Sequence, residues 1–131
     1  MSGGVYLVTA VTLGRHAAFT DFALARKTIR RMHEAGARGL ADTLAYVLMP
    51  DHLHWLLRLG NGQDLSRVVG GFKSVAAREA GGCLWQQGFH DHAVRQEEDL
   101  VRLARYLVAN PLRAGLVQHA GDWPHWDSVW L

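Results

Sequence analysis

The sequence has one cysteine and no long apolar run, and each of these features excludes a class of protein. Its one cysteine, Cys83, cannot form a disulfide within the chain, which favours a reducing cytoplasm. We expect Cys83 itself to be a small buried residue near a helix end. No apolar run approaches the ~20 residues needed to span a bilayer, and residues 1–4 lack the charged and apolar regions of a signal peptide. The expectation is a single cytoplasmic domain over residues 1–131 that does not contact a membrane.

Lysine is scarce as well, and the cations are mostly arginine. Twelve of the fourteen Lys and Arg residues are Arg, whose planar guanidinium suits phosphate contacts. The net charge of +2 is too small to indicate a polyanionic partner by itself. Its distribution is uneven, because residues 1–90 carry ten cations and six acids whereas residues 91–131 carry four and six. A basic face for nucleic acid is permitted, and an ordinary solvated surface explains the composition equally well.

A phosphate-binding loop is also missing. The segment 70–74, Gly-Gly-Phe-Lys-Ser, has no glycine directly before its lysine and therefore fails the Walker pattern. No nucleotide cofactor is expected.

The hydrophobic spacing predicts how strands and helices follow one another. Apolar residues two apart indicate strands, and those three or four apart indicate helices. The predicted order is strand 5–12, a helix from 20–21 to 36–39, strands 43–49 and 52–59, a helix from 64 to 81–82, strand 90–95, and a helix from 97–99 to about 110. This order is typical of an antiparallel sheet of four or more strands with helices packed against it, a ferredoxin-like or RRM-like α+β fold.

A tryptophan-rich tail over residues 118–131 follows the predicted core, which covers about residues 5–117. Trp123, Trp126 and Trp130 fall close together in this tail. We expect their rings to cover apolar surface of the domain, and stacking on nucleic-acid bases is the alternative.

Two histidines separated by one residue, His52 and His54, lie in the predicted strand 52–59. Successive strand residues point to opposite faces, so the two imidazoles project together while Leu53 and Trp55 project behind them. Two imidazoles on one face can supply two of the ligands of a divalent-metal site. By themselves they suit Zn²⁺ as well as Mg²⁺ or Mn²⁺. The alternative is a pair of ordinary surface histidines.

A tyrosine and an amide on the last predicted helix complete the candidate chemistry. Tyr106, Asn110 and Arg102 are spaced by four residues and share one helical face. A tyrosine hydroxyl can form a covalent intermediate as a nucleophile. The alternative is a half-buried residue that covers the sheet. Tyr6 and Tyr46 lie in predicted strands and are poorer candidates.

Three blocks of sequence, in their order, resemble a known family. They are Met-Pro-Asp-His-Leu-His at 49–54, Trp-Gln-Gln-Gly-Phe-His-Asp-His-Ala-Val-Arg at 85–95, and Tyr-Leu-Val-Ala-Asn-Pro-Leu-Arg-Ala-Gly-Leu-Val at 106–117. Together they resemble the single-tyrosine HUH (IS200-like) transposases, and within these the REP-associated tyrosine transposases. One His-x-His triplet is weak evidence, whereas three ordered blocks in a short chain are specific.

The resemblance implies a metal-dependent endonuclease and strand transferase that acts on single-stranded or REP-type hairpin DNA. Tyr106 would be the nucleophile, and its attack would leave a 5′-phosphotyrosine link and a free 3′-OH. His52, His54 and Asn110 would hold Mg²⁺ or Mn²⁺.

The resemblance also implies contacts with DNA. Lys73 and Arg95 match recurrent basic positions, and Arg102 and His92 are further candidates. The segment 90–92, His-Asp-His, is a second His-x-His triplet, but its middle acid departs from the HUH pattern, so it is expected at a sheet edge near DNA. Solvated helix surface and ion pairs with the acids at 97–99 are the alternatives for these cations.

Two other functions compete with a transposase. One is a non-catalytic module that binds single-stranded nucleic acid through its sheet. The other is a small metal-dependent phosphoesterase that uses water instead of tyrosine. Both a monomer and a homodimer are compatible with the sequence.

Overall fold

The computed structural model describes residues 3–130, except for the side chain of Glu98. The helices and strands, numbered along the chain, are β1 (Val5–Val11), α1 (Phe22–Ala37), β2 (Ala41–Leu48), β3 (His52–Leu59), α2 (Leu65–Glu79), β4 (His90–Val94), α3 (Glu97–Val108), α4 (Asn110–Arg113) and β5 (Trp126–Ser128). Within the described residues the strands form one antiparallel sheet in the order β4-β1-β3-β2-β5. The predicted α+β fold and element order are confirmed.

The hairpin of β2 and β3 lies at the middle of this sheet. On β3 the alternation is strict, and Leu53, Trp55 and Leu57 point to the face covered by α1 and α2. The Trp55 side chain is fully buried there, and its ring centroid lies 5.0 Å from that of Phe72 on α2. His52 and His54 therefore point to the opposite face, as their spacing predicts.

The opposite face of the sheet is covered by α3. Leu100, Ala104 and Leu107 of this helix pack against Val47 and Leu56. The histidines consequently share their face with the helix that carries Tyr106. We name this side of the sheet the histidine face.

Two helices begin where the sequence predicts. The Asp21 carboxylate accepts a hydrogen bond from the Leu24 amide, and the Asp64 carboxylate accepts one from the Arg67 amide. Both are N-caps, which satisfy amides that have no partner within the helix. At the start of α3, the side chain of Glu98 lies outside the described part of the chain.

The last helix differs from the prediction. We expected it to run to about Asn110, but α3 ends at Val108 and a second short helix, α4, begins at Asn110. Pro111 falls in the first turn of α4, where a missing backbone N–H costs nothing. The chain is therefore helical again at the proline, after an interruption at Ala109.

The tail is part of the sheet. β5 pairs with β2, and the rings of Trp123, Trp126 and Trp130 pack against the core under α3. The Trp123 indole donates to the Leu48 carbonyl at 3.1 Å, and the Trp126 indole donates to the Ala120 carbonyl at 2.9 Å. These indoles cover apolar surface as predicted, and their polar ends are used within the fold.

Two further observations concern surface and membrane. Cys83 is exposed, so the prediction that it is buried was wrong; it lies in the loop after α2, directly behind the positive-φ glycines Gly81 and Gly82. Among residues 3–130, no helix combines the length and apolarity needed to cross a bilayer.

Candidate active site

The centre of the candidate site is the pair His52 and His54 on β3. Their ring centroids lie 4.9 Å apart, and the ring planes are nearly perpendicular at 80°. Both side chains are half-buried. The predicted shared face of the two imidazoles is confirmed, on a strand paired with β2.

The ring of His52 is oriented by an acidic neighbour. Its Nδ1 lies 2.7 Å from Oδ1 of Asp51, and the other carboxylate oxygen of Asp51 is 3.1 Å from Nε of Arg15. Burial alone would raise the pKa of Asp51, but the hydrogen bonds and charges of His52 and Arg15 outweigh it and hold that pKa below its usual range. Because an ionised carboxylate only accepts, Nδ1 of His52 carries the proton, and in the neutral form of the ring Nε2 has the lone pair.

The ring of His54 is oriented from the neighbouring strand. Thr9 of β1 lies opposite His54 in the sheet, and its hydroxyl is 3.0 Å from Nδ1. The pKa of His54 is lowered to about 4, first by burial and then by the positive charges of His52 and Arg113. His54 is therefore a neutral imidazole at neutral pH, which is the form that binds metal.

These contacts fix both rings through Nδ1. Each Nδ1 is held by an oxygen, and within residues 3–130 neither Nε2 has a hydrogen-bond partner. Metal-binding histidines usually hold their second nitrogen in this way, which fixes the tautomer and the ring. No group of three or more His, Cys, Asp or Glu side chains in the described chain is arranged to hold a metal. A cation at His52 and His54 would therefore need neutral oxygen ligands, from an amide, water or phosphate.

Tyr106 lies on the outer side of α3. Its side chain is 61% exposed, so its hydroxyl is accessible to a large substrate. The guanidinium of Arg113, from α4, lies over its ring with the central carbon 3.7 Å from the ring centroid. Arg113 also contributes to the lowered pKa of His54. Arg113 thus contacts the ring of Tyr106 and also affects His54 through its charge. Asn110 is the first residue of α4 and is half-buried, so it lies on a different helix from Tyr106.

A groove of about 620 Å³ runs beside Tyr106, between β4 and α3. His92 and Arg95 line it from the strand side, and Arg102 lines it from the helix side. Arg102 is also 3.8 Å from its helical neighbour Asp99, but its side chain is 81% exposed. The structure therefore brings three of the predicted DNA-contacting residues together at one groove.

The second histidine triplet lies at the edge of the sheet. Thr9 of β1 pairs with His54 on one side and with His90 of β4 on the other, so His90 and His92 also project on the histidine face. Two strand spacings put the backbones of His90 and His54 about 10 Å apart. The expected edge position is confirmed, and both side chains are exposed.

Lys73 has a different environment from the other candidates. Its ammonium donates to the carbonyls of Gln86, at 3.0 Å, and of Gly88, both in the loop before β4. Burial lowers the pKa of Lys73. Two of its three N–H donors are used in holding this loop.

Sequence reasoning missed three residues of the site. Asp51 and Arg113 lie inside the resembling blocks, where their charge is the one available signal. Thr9 is forty-five residues from His54 in sequence. Only the pairing of β1 with β3 brings that hydroxyl to the imidazole.

Comparisons with known proteins agree with the fold. The chain superimposes on a solved structure described as a REP-associated tyrosine transposase bound to a REP hairpin with a TM-score of 0.81 and 25% identity, over 96% of this chain and 77% of that one. A second solved structure, from Deinococcus radiodurans R1, gives a TM-score of 0.60 over 78% of this chain and 86% of that one; at 20% identity it supports the fold alone.

Two curated relatives carry the REP-associated tyrosine transposase designation. The one from Escherichia coli K12 is 30% identical over 86 residues, which cover 61% of this chain and 50% of the relative. The one from Haemophilus influenzae Rd is 26% identical over 100 residues, which cover 64% and 57%. The chain spans about half the length of these relatives. The sequence profile of the family described as "Transposase IS200 like" matches residues 2–110. With the histidine pair, the exposed tyrosine and the fold in agreement, the chain belongs to the IS200-like transposase family.

Proposed function

We propose that this chain is a metal-dependent single-tyrosine DNA endonuclease and strand transferase. Its substrate would be single-stranded DNA next to a hairpin of the REP type, the DNA named for the solved relative. The observation that carries the proposal is the pair of free Nε2 atoms on His52 and His54, on the face covered by the helix of the exposed Tyr106.

The residues present fit a divalent cation. His52 and His54 would bind it through Nε2, and Asn110 would add its side-chain oxygen. A mixed set of imidazole, amide and water ligands suits Mn²⁺ or Mg²⁺. When bound, the cation would neutralise charge on the scissile phosphate and help to orient it.

The reaction is a transesterification that conserves the phosphodiester. The Tyr106 oxygen attacks phosphorus, a new oxygen–phosphorus bond forms, and the bond to the 3′ oxygen breaks. The phenolic proton passes to solvent, and the leaving 3′ oxygen takes up a proton to become a free 3′-OH. The strand stays joined to Tyr106 through its 5′ phosphate, so reversal by another 3′-OH joins strands without ATP.

The groove beside Tyr106 would hold the strand to be cut. Arg95 and Arg102 would contact its phosphates, and His92 would contact the strand from β4. Lys73 has one N–H donor left for phosphate, and its main contribution would be to hold the loop before β4 in place.

The test uses a library of DNA hairpins with randomised single-stranded flanks, labelled at the 3′ end in one sample and at the 5′ end in another. The DNA is incubated with the chain and Mn²⁺ or Mg²⁺, denatured and separated. A transposase transfers the 3′ label to protein and releases the 5′ label as a shortened strand. Shortened strands without protein-linked label would instead support the phosphoesterase. Retarded but uncut hairpin would support the binding module. Cytoplasmic location and the choice between monomer and homodimer stay predictions.

A further inference from the structure

Arg113 is an arginine held in place without a carboxylate. Arg15, Arg31 and Arg102 have acidic partners within the described chain, whereas Arg38 and Arg105 are among those that have none. In the same part of the chain, Arg113 has no acidic partner and no side-chain hydrogen bond; it rests on the ring of Tyr106 instead. A cation packed on an aromatic face keeps its N–H donors, which lie in the guanidinium plane, available to another group.

The position of this guanidinium is informative. The guanidinium lies over the ring whose hydroxyl is the proposed nucleophile, with its central carbon 3.7 Å from the ring centroid. The phosphate under attack must approach both the Tyr106 oxygen and the cation held by the histidines. A guanidinium that packs on the ring of the nucleophile is therefore close to the phosphate oxygens.

We propose that Arg113 binds the scissile phosphate, with its guanidinium oriented by the ring of Tyr106. This inference rests on the proposed function and adds a catalytic residue to it. The planar fork can donate two N–H bonds to the non-bridging oxygens, where charge is concentrated during attack. The same contact with the Tyr106 ring keeps nucleophile and phosphate in a fixed relation, which raises the chance of productive alignment.

A matched set of variants tests the catalytic effect. Arg113→Gln removes the charge and the fork, and Arg105→Gln removes an equal charge from an exposed position on α3. With the hairpin that the wild-type chain cleaves best, we expect single-turnover cleavage by Arg113→Gln to fall about 100-fold, as for other preorganised donors at a reacting centre. Arg105→Gln should react at close to the wild-type rate. Arg113→Lys should recover part of the loss, since it keeps the charge but not the fork.

A binding measurement under conditions where no cleavage occurs distinguishes a phosphate contact of Arg113 from a structural role. In a Tyr106→Phe background with EDTA, the scissile phosphate of the same hairpin is replaced by an uncharged methylphosphonate. This replacement should weaken binding about tenfold when Arg113 is present, because a charge-assisted hydrogen bond is lost. It should have little effect when Arg113 is glutamine. An equal loss with both residues would overturn the assignment.

The outcomes distinguish this inference from the proposed function. A wild-type chain that forms adduct, together with equal rates for Arg113→Gln and Arg105→Gln, would overturn the role of Arg113 alone. A wild-type chain that forms no adduct on any hairpin would overturn both.

Discussion

The hydroxyl of Thr9 and the Nδ1 atom of His54 lie 3.0 Å apart across the pairing of β1 with β3. A side chain in one strand thereby orients the imidazole in the neighbouring strand. When Nδ1–H donates to this hydroxyl, the Nε2 lone pair of His54 is free on the same side as that of His52. The orientation of His54, and with it the metal binding that we propose, consequently depends on a residue outside the His-x-His motif.

Thr9→Val tests this dependence, because valine keeps the β-branched shape and loses the oxygen. We expect affinity for Mn²⁺, measured by the EPR signal of free Mn²⁺, to fall roughly tenfold, at the lower end of what hydrogen bonds to metal-binding histidines contribute. Thr28→Val is the matched control, since its hydroxyl is also hydrogen-bonded but donates to the Leu24 carbonyl within α1. Equal Mn²⁺ affinity in Thr9→Val and the control would contradict the role given to Thr9.

The histidines themselves are the subject of a second prediction. His52→Ala and His54→Ala should each abolish Mn²⁺-dependent cleavage, because one imidazole cannot hold the cation in place. Hairpin affinity, measured in EDTA by fluorescence anisotropy, should change little, since the proposed phosphate contacts come from arginines. His119→Ala, at an exposed histidine, is the control. If both variants cleave like the control, another group holds the metal, and His90 and His92 are the next to replace.

Much of this site was predictable from local sequence. The period of two in a strand assigns His52, Leu53, His54 and Trp55 to their faces without any tertiary information, and the predicted bounds of β3 agree with the structure. The helix caps at Asp21 and Asp64 are equally local. Such features depend on residues a few positions apart, so the sequence alone determines them.

Other features depend on contacts between distant segments and could not be predicted. Which face α3 covers is decided by packing of Leu100 and Leu107 against strands far away in the chain. β5 has three residues, too short for a periodic pattern to be detected, and it forms because β2 offers a free edge. Arg113 packs on Tyr106 from α4, a short helix that the sequence did not predict.

The tryptophan tail gives a third prediction. Trp123→Phe keeps a large apolar ring and removes the indole N–H that donates to the Leu48 carbonyl. We expect the free energy of unfolding to fall by about 1–2 kcal/mol, the cost of one hydrogen bond and a smaller ring. Hairpin affinity should be unchanged. Val129→Ala, at a position 64% exposed in the same tail, should affect neither quantity. A loss of hairpin affinity in Trp123→Phe without a loss of stability would point to base stacking instead.

His125 gives a prediction about pH. Its ring is buried between Phe22 and Trp123, and its pKa is lowered, first by burial and then by the charge of Arg26. The unfolded chain, where the ordinary value of 6.5 applies, therefore takes up the proton more readily than the folded chain. The stability that His125 contributes is present above pH 6.5 and is lost as pH falls below it.

His125→Phe isolates this contribution, because phenylalanine keeps the packing and does not titrate. We expect the free energy of unfolding, measured by urea denaturation, to decrease less between pH 7 and pH 5 in this variant than in the wild type. All other titrating groups are common to both chains and cancel in the difference. Parallel stability curves over this range would show that His125 does not titrate on unfolding.

The central claim is that Tyr106 becomes covalently joined to DNA, and mass spectrometry tests it most directly. The wild-type chain is incubated with cleavable hairpin and Mn²⁺, treated with nuclease and protease, and its peptides are searched for a nucleotide linked to tyrosine. We predict the modification on Tyr106, and none in Tyr106→Phe. That variant should stay folded and bind hairpin, because its side chain is 61% exposed and keeps the ring under Arg113. A nucleotide linked to Tyr6 or Tyr46, or robust adduct formation by Tyr106→Phe, would contradict the account.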